Sequence, residues 1–255
     1  MPMPVPASEF SVSIAATEQD LRAAQTLRYE VFVRELGAGG PMVDHAAGLE
    51  RDRFDPFSDH LLLRDERKGR IAGVYRLMRG DQAAAAGQFY SESEYDLKPL
   101  IASGRKLLEL GRSCLHADYR GSMAMYHLWA GLASYVQEHA IEILFGVASF
   151  HGTDPRALAE PLALLHHNHL APPALRARSK VFQNMDLVPA AELDRRRAML
   201  AMPALIKAYL RLGGFVGEGA YVDHDFNTTD VCLILDTARM NTRQSRIYTE
   251  GRGAR

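Results

Sequence analysis

Cysteine is scarce in this 255-residue chain: Cys114 and Cys232 stand far apart, with no CxxC or Cys/His spacing. That excludes a disulfide scaffold and a cysteine zinc site, and it favours a reducing compartment. Charge of one sign is lacking too, because 30 Lys+Arg face 31 Asp+Glu for a net charge of −1. No global field draws nucleic acid to such a chain, and none is expected as a partner. Long apolar runs are also missing, with nothing near the ~20 residues that cross a bilayer. The opening MPMPVPASEF has neither the basic nor the apolar region of an export signal. A cytoplasmic protein is expected, with peripheral contact at the inner membrane left open.

What is present is the composition of a core-forming protein, 47% apolar and 24% charged. The pattern opens with a strand at Phe10 to Ala15 and an amphipathic helix from Glu18 to Leu36. Two apolar runs, His60–Arg64 and Ile71–Met78, flank a charged turn and read as an antiparallel hairpin. Gln82 to Arg105 is irregular. Lys106–Gly111 and Ile141–Ala148 read as buried strands around a helix at Ser122–His139. From Pro155 to about Leu212 the pattern is helical and broken by prolines, before strands at Phe215–Val222 and Val231–Leu235. The expectation is one mixed α/β domain over 1–255 with a helical insertion at about 156–212.

Ionisable residues concentrate at Glu50-Arg51-Asp52-Arg53-Phe54-Asp55 and at Glu109-Leu110-Gly111-Arg112, with Arg76 inside an apolar run. The first cluster reads either as a solvated loop or as a site. Charges at the end of a buried strand need partners, because desolvating them alone is costly.

These segments, in the order Arg28-Tyr29-Glu30-Val31-Phe32, Leu49 to Asp55, Gly73-Val74-Tyr75-Arg76-Leu77 and Glu109 to Arg112, resemble the acyl-homoserine-lactone synthases, which have a GNAT-like fold. A closer resemblance is to the bacterial ornithine N-acyltransferases of ornithine-lipid synthesis. It is carried by ELGRSCLHADYR at 109–120, IEILFGVASFHGTDP at 141–155, LIKAYLRLGGFVG at 205–217 and FNTTD at 226–230. The resemblance spans about residues 12 to 236.

It implies a GNAT-like mixed, mostly antiparallel central sheet flanked by helices. It also implies transfer of a 3-hydroxy fatty acyl group from acyl carrier protein to the α-amino group of ornithine, with no bound cofactor and no metal. The catalytic set expected is Glu109 as base, with Asp52 and Arg112. Arg28, Phe32, Asp55 and Arg76 are expected to bind substrate: the carboxylates Asp52 and Asp55 hold ammonium groups, and the arginines orient them or take the substrate carboxylate. Ser113, Cys114, Arg120, Gly121 and Ser122 are expected around the acyl and phosphopantetheine groups, with backbone N–H groups near Ser113 and Cys114 meeting the oxyanion.

The stretch Asp118 to Ala124 departs from the R/Q-x-x-G-x-G/A spacing of coenzyme A sites, which leaves a helix N-terminus and Arg120 for a single phosphate. Basic complements for an acidic carrier are Arg176, Arg178 and Lys180, then Arg195-Arg196-Arg197, then Lys207 with Arg211. His60 with Asp65 has H-x4-D spacing across a strand and reads as chance. His166-His167-Asn168-His169 lacks an obvious third metal ligand. Cys114 reads as a small buried hydrophobe rather than a nucleophile. The rival readings are an acyl-homoserine-lactone synthase or another N-acyl amino acid synthase, and a non-catalytic lipid- or carrier-binding protein.

Overall fold

The computed structural model describes residues 10–41 and 43–240. The Pro-rich start and the Arg- and Thr-rich tail lie outside them. An eight-stranded sheet forms the centre, from β1 (Phe10–Ile14), β2 (Asp59–Asp65), β3 (Arg70–Arg79), β4 (Leu107–Leu115), β5 (Ile143–His151), β6 (Phe215–Val216), β7 (Tyr221–Asp223) and β8 (Thr228–Asp236). Its order is β1-β2-β3-β4-β5-β8-β6, with β7 also paired to β8. Every pairing is antiparallel except β4 with β5, which runs parallel over Leu107–Glu109 against Ile143–Phe145. A parallel pair needs a crossover, and the 15-residue helix α4 described below supplies it.

The helices are α1 (Glu18–Arg28), α2 (Gly80–Ala86), α3 (Lys98–Ala102), α4 (Ala124–Glu138), α5 (Ala159–His169), α6 (Arg195–Ala201) and α7 (Ala204–Arg211). Thr17 starts α1 through a capping box: its hydroxyl accepts the Asp20 N–H, and the Asp20 carboxylate accepts the Thr17 N–H. The helix expected to reach Leu36 changes at Tyr29 into a π-helical segment, Tyr29–Glu35. Such wide turns are uncommon and cluster at functional sites.

The sheet's apolar side packs with α5, α6 and α7 in one cluster: Leu61, Leu108 and Leu233 share it with Leu162 of α5, Ala198 of α6 and Ile206 of α7. The stretch read as irregular, 82–105, contains most of α2 and all of α3, short elements anchored by the buried Ala83, Phe89 and Leu100. Among the described residues, no helix is long and apolar enough to cross a membrane.

Candidate active site

The strand expected to end at Gly111 runs on to Leu115 because a bulge lets it turn. Opposite β3, Val74 faces Cys114 and Arg76 faces Gly111, so Arg112 and Ser113 fall outside the register. Arg112 sits at φ 51°, a left-handed conformation that costs a non-glycine residue ~1–3 kcal/mol unless its surroundings hold it there. On the other side, β4 and β5 part after their three paired residues. Gly146 marks the fork: a Cβ there would lie 2.1 Å from the Leu110 carbonyl oxygen. Between the diverging strands lies a cavity of about 280 Å³, walled by Leu110, Leu144, Ala148, Leu233 and, from α7, Leu205 and Tyr209. Phe32, carried by the π-helical segment, lines it and meets Phe226 edge-to-face.

Three arginines and three carboxylates close a network beside this cavity. Arg28 pairs with Glu50 through Nε and with Asp55 at 2.9 Å. Arg76 reaches Asp52 at 2.6 Å and Asp55 at 2.9 Å, and Arg112 reaches Glu50 at 3.0 Å and Asp52 at 3.1 Å. Gln25 donates to the remaining Asp55 oxygen at 2.8 Å. Burial opposes ionisation of all three carboxylates, but the arginines outweigh it and lower each pKa. The segment read as either a solvated loop or a site is thus a buried ionic lattice. Asp52 and Asp55, expected to hold substrate ammonium groups, are filled by arginine. Of the three arginines only Arg112 lines the cavity, its guanidinium stacked between the rings of Tyr90 and Phe226 at 4.6 and 4.9 Å.

Glu109, the expected base, is occupied as well. Its oxygens accept the Tyr90 N–H at 2.8 Å, the Ser91 N–H at 2.6 Å and the Ser91 hydroxyl. Burial raises its pKa, against those hydrogen bonds, and it does not line the cavity. Strand alternation separates the next pair: Ser113 faces the cavity, whereas Cys114 packs against Ala24, Leu27 and Val74 beneath α1. Burial pushes the Cys114 thiol up to about 12, which leaves no thiolate for an acyl-enzyme. Arg120 is held by Glu35 and by the Leu115 carbonyl, and the Ser122 hydroxyl turns back to Tyr119 O at 2.6 Å. Gly121, at φ 75°, makes the turn ahead of α4. None of these three lines the cavity.

A group missed in the sequence completes the site. Antiparallel pairing of Tyr221 with Asp230 puts Asp223 and Asp230 on one face of the β7–β8 hairpin. Both line the cavity, and Glu94 joins them, with one oxygen from each residue within 4.8 Å of the others. Burial, with Asp230 and Asp223 nearby, raises the pKa of Glu94. Burial also lifts Asp230 to about 6, against the pull of the Ser149 and Thr228 hydroxyls. The signal for Asp230 was a carboxylate opening an apolar run; Glu94 carried none.

The remaining candidates resolve simply. His60 donates its Nε2–H to the Asp55 backbone carbonyl at 3.1 Å, while Asp65 accepts the Tyr119 hydroxyl and the Arg67 and Lys68 N–H groups of the following turn. His166 and His167 do find a third neighbour, Asp186, brought in by the chain's return after α5. His167 Nε2 donates to the Val188 carbonyl at 2.9 Å, which engages the nitrogen nearest Asp186.

The profile of the Acetyltransferase (GNAT) domain matches residues 27–130. The L-ornithine N(alpha)-acyltransferase of Rhodobacter capsulatus is 59% identical over 252 residues, covering 96% of this chain and 97% of that protein. The chain belongs to the L-ornithine N(alpha)-acyltransferase family. The Brucella abortus member is 42% identical, covering 94% of this chain and 88% of its own length. Among solved structures, a CoA-dependent acyl-homoserine lactone synthase shares the family's fold with a TM-score of 0.54 at 15% identity, over 96% of this chain and 97% of that one. An N-acyl amino acid synthase from uncultured soil microbes does so at 0.52 and 13%, over 90% and 91%. The expected mixed, mostly antiparallel GNAT-like sheet is the fold of this family member.

Proposed function

We propose that the chain transfers a 3-hydroxy fatty acyl group from acyl carrier protein to the α-amino group of L-ornithine, releasing lyso-ornithine lipid. The observation that carries this reading is the apolar cavity at the β4–β5 fork, whose lining also includes Arg112, Asp223 and Asp230, in a chain of this family. The acyl chain lies along Leu110, Leu144 and Leu233, and the Arg112 guanidinium takes the substrate carboxylate.

An ammonium cannot attack a thioester, so the α-amine must react in its neutral form. A guanidinium beside it favours that form. The nitrogen bonds to the acyl carbon as the C–S bond breaks; the nitrogen gives up one proton, and the departing thiolate takes one. Backbone N–H groups at the Arg112–Ser113 bulge meet the oxyanion. Glu109 acts by position: it fixes the turn carrying Tyr90, which stacks on Arg112.

For the carrier, the basic candidates narrow to α6 and α7. Arg178, Arg197 and Lys180 already have partners in Glu218, Glu160 and the Glu92 carbonyl. Arg195, Arg196 and Arg211 are exposed, next to the helix that supplies Leu205 and Tyr209 to the cavity. No bound cofactor is needed. The reaction belongs in the cytoplasm, where carrier and ornithine meet, with the amphiphilic product leaving by peripheral contact with the inner membrane.

The test is incubation with 3-hydroxyacyl carrier protein, or the matching coenzyme A thioester, and a panel of amino acids, with products read by mass spectrometry. Acyl-ornithine made from the carrier thioester is expected. No acylated amino acid from either donor would overturn the acyl-transfer reading, and formation of a homoserine lactone from S-adenosylmethionine would transfer it to the signal synthases.

A further inference from the structure

We infer that Glu94, Asp223 and Asp230 form a cation pocket for the side-chain ammonium of a dibasic acceptor, which leaves the α-amine as the amine that reacts. The inference deepens the proposed function and rests on it.

The three carboxylates differ in kind from the arginine lattice beside them. In the lattice every carboxylate meets two guanidinium groups or their equivalent. Among the described residues, none offers Glu94, Asp223 or Asp230 an ion pair, although Glu94 is 3% and Asp230 4% exposed. Oε2 of Glu94 and Oδ1 of Asp230 are buried with no hydrogen-bond partner. The Arg112 charge favours ionisation of Glu94 and Asp230 without pairing with either, and burial still outweighs it, so these buried carboxylates are costly. Here Asp223 and Asp230 line a cavity, with a Glu94 oxygen within 4.8 Å of theirs, so the missing cation is one that arrives with a ligand.

Arg112 lines the same cavity. A guanidinium and a group of carboxylates on the wall of one cavity complement a molecule that carries both a carboxylate and an ammonium. The same arrangement chooses between two amines. An ammonium among carboxylates is held protonated, and a protonated amine has no lone pair to attack with; an amine beside Arg112 is biased toward its neutral form. Placing the α-ammonium among the carboxylates instead would silence it. Selection of the α-nitrogen is therefore electrostatic.

The experiment uses the full chain and Glu94→Gln, Asp223→Asn and Asp230→Asn variants. Ornithine is compared with norvaline, which has the same carbon chain without the side-chain amine, and the acylated nitrogen is located by fragmentation mass spectrometry. Wild type is expected to favour ornithine by about tenfold or more in kcat/KM. In the variants that ratio falls through a higher KM for ornithine, and Nδ-acylated product appears. A purely structural role would move neither the ratio nor the site of acylation.

Equal use of the two acceptors by wild type would overturn the inference. So would an unchanged ratio and Nα-only product in variants whose circular dichroism is native. Asp223, half-buried at the end of β7, provides a variant if the two buried positions fail to fold. A stoichiometric divalent ion in the purified protein, with ornithine KM altered by chelation, would assign the carboxylates to a metal and overturn it as well. Absence of any acylated amino acid would remove the acyl-transfer reading itself, and this inference with it.

Discussion

Glu109 accepts the Ser91 backbone N–H at 2.6 Å and the Ser91 hydroxyl on the same oxygen, so a strand carboxylate serves as the anchor of a turn 18 residues earlier in the chain. A carboxylate engaged in this way is an acceptor only. Glutamine in its place would turn an N–H₂ group toward at least one backbone donor. Glu109→Gln is expected to lose about 1–3 kcal/mol of stability and to lower kcat through the displaced Tyr90 and Arg112. The discriminating measurement is the pH profile of kcat/KM. An acid limb that persists in the variant agrees with a positioning role, and its disappearance would restore Glu109 as the base.

Asp230 gives a stability prediction of unusual sign. Its folded pKa of about 6 lies above the about 3.9 of an unfolded aspartate, so the folded state binds more protons in that window. Stability contributed by this group therefore falls as pH rises from about 4 to about 6. Asp230→Asn is expected to melt higher than wild type at pH 8, by about 1–3 kcal/mol, with the gain shrinking to nothing near pH 4, while ornithine turnover drops. Thermal melts at several pH values check it.

Glu50, Asp52 and Asp55 carry the opposite sign. Their pKa values are lowered in the fold by arginine against burial, so their contribution is present above the unfolded carboxylate range and is lost as pH falls below about 4. Asp55→Asn, which leaves Arg28 and Arg76 short of a counter-charge, should cost about 3–5 kcal/mol. Urea unfolding at pH 7 measures it. A loss under about 1 kcal/mol would mean that the lattice is open to water.

Gly146 is expected to tolerate no side chain. In Gly146→Ala the new Cβ meets the Leu110 carbonyl oxygen at a contact of 2.1 Å, so β4 and β5 must shift at the fork where the cavity opens. Loss of both melting temperature and acyl transfer is expected. Retained activity with long-chain donors would show that the acyl group lies elsewhere.

Neutralising Arg195, Arg196 and Arg211 together should raise KM for the acyl carrier protein and flatten its dependence on salt, with KM for ornithine unchanged. A salt dependence equal to that of wild type would remove α6 and α7 as the docking face.

Much of the fold was legible because burial on both faces leaves near-continuous apolar runs, and these marked β3, β4, β5 and β8 to within a few residues. The extension of β4 past Gly111 was not, since a bulge is a matter of pairing with β3 and leaves no period in one strand. Arg76 and Arg112 were legible because charges set in apolar runs need partners, while Arg28, Asp52 and Asp55 joined them through the family resemblance. Their roles were not: composition does not say whether an aspartate waits for a substrate or is already filled by a neighbouring arginine.

By itself, the sequence determined the alternation of strands and helices, the absence of a membrane-crossing helix among the described residues and the set of ionisable residues that fold inward. Tertiary structure alone decided which of those charges are satisfied. Pairing depends on distances of a few ångström between residues far apart in the chain: Glu50 meets Arg112 across 62 positions, while Glu94 brings an oxygen within 4.8 Å of Asp223 and Asp230 in the sheet's last hairpin. The strength of a charge interaction in a buried site falls off over those few ångström and depends on the water excluded around it. The lattice was thereby closed, while Asp223 and Asp230 at the cavity, with Glu94 beside them, were left without an ion pair among the described residues.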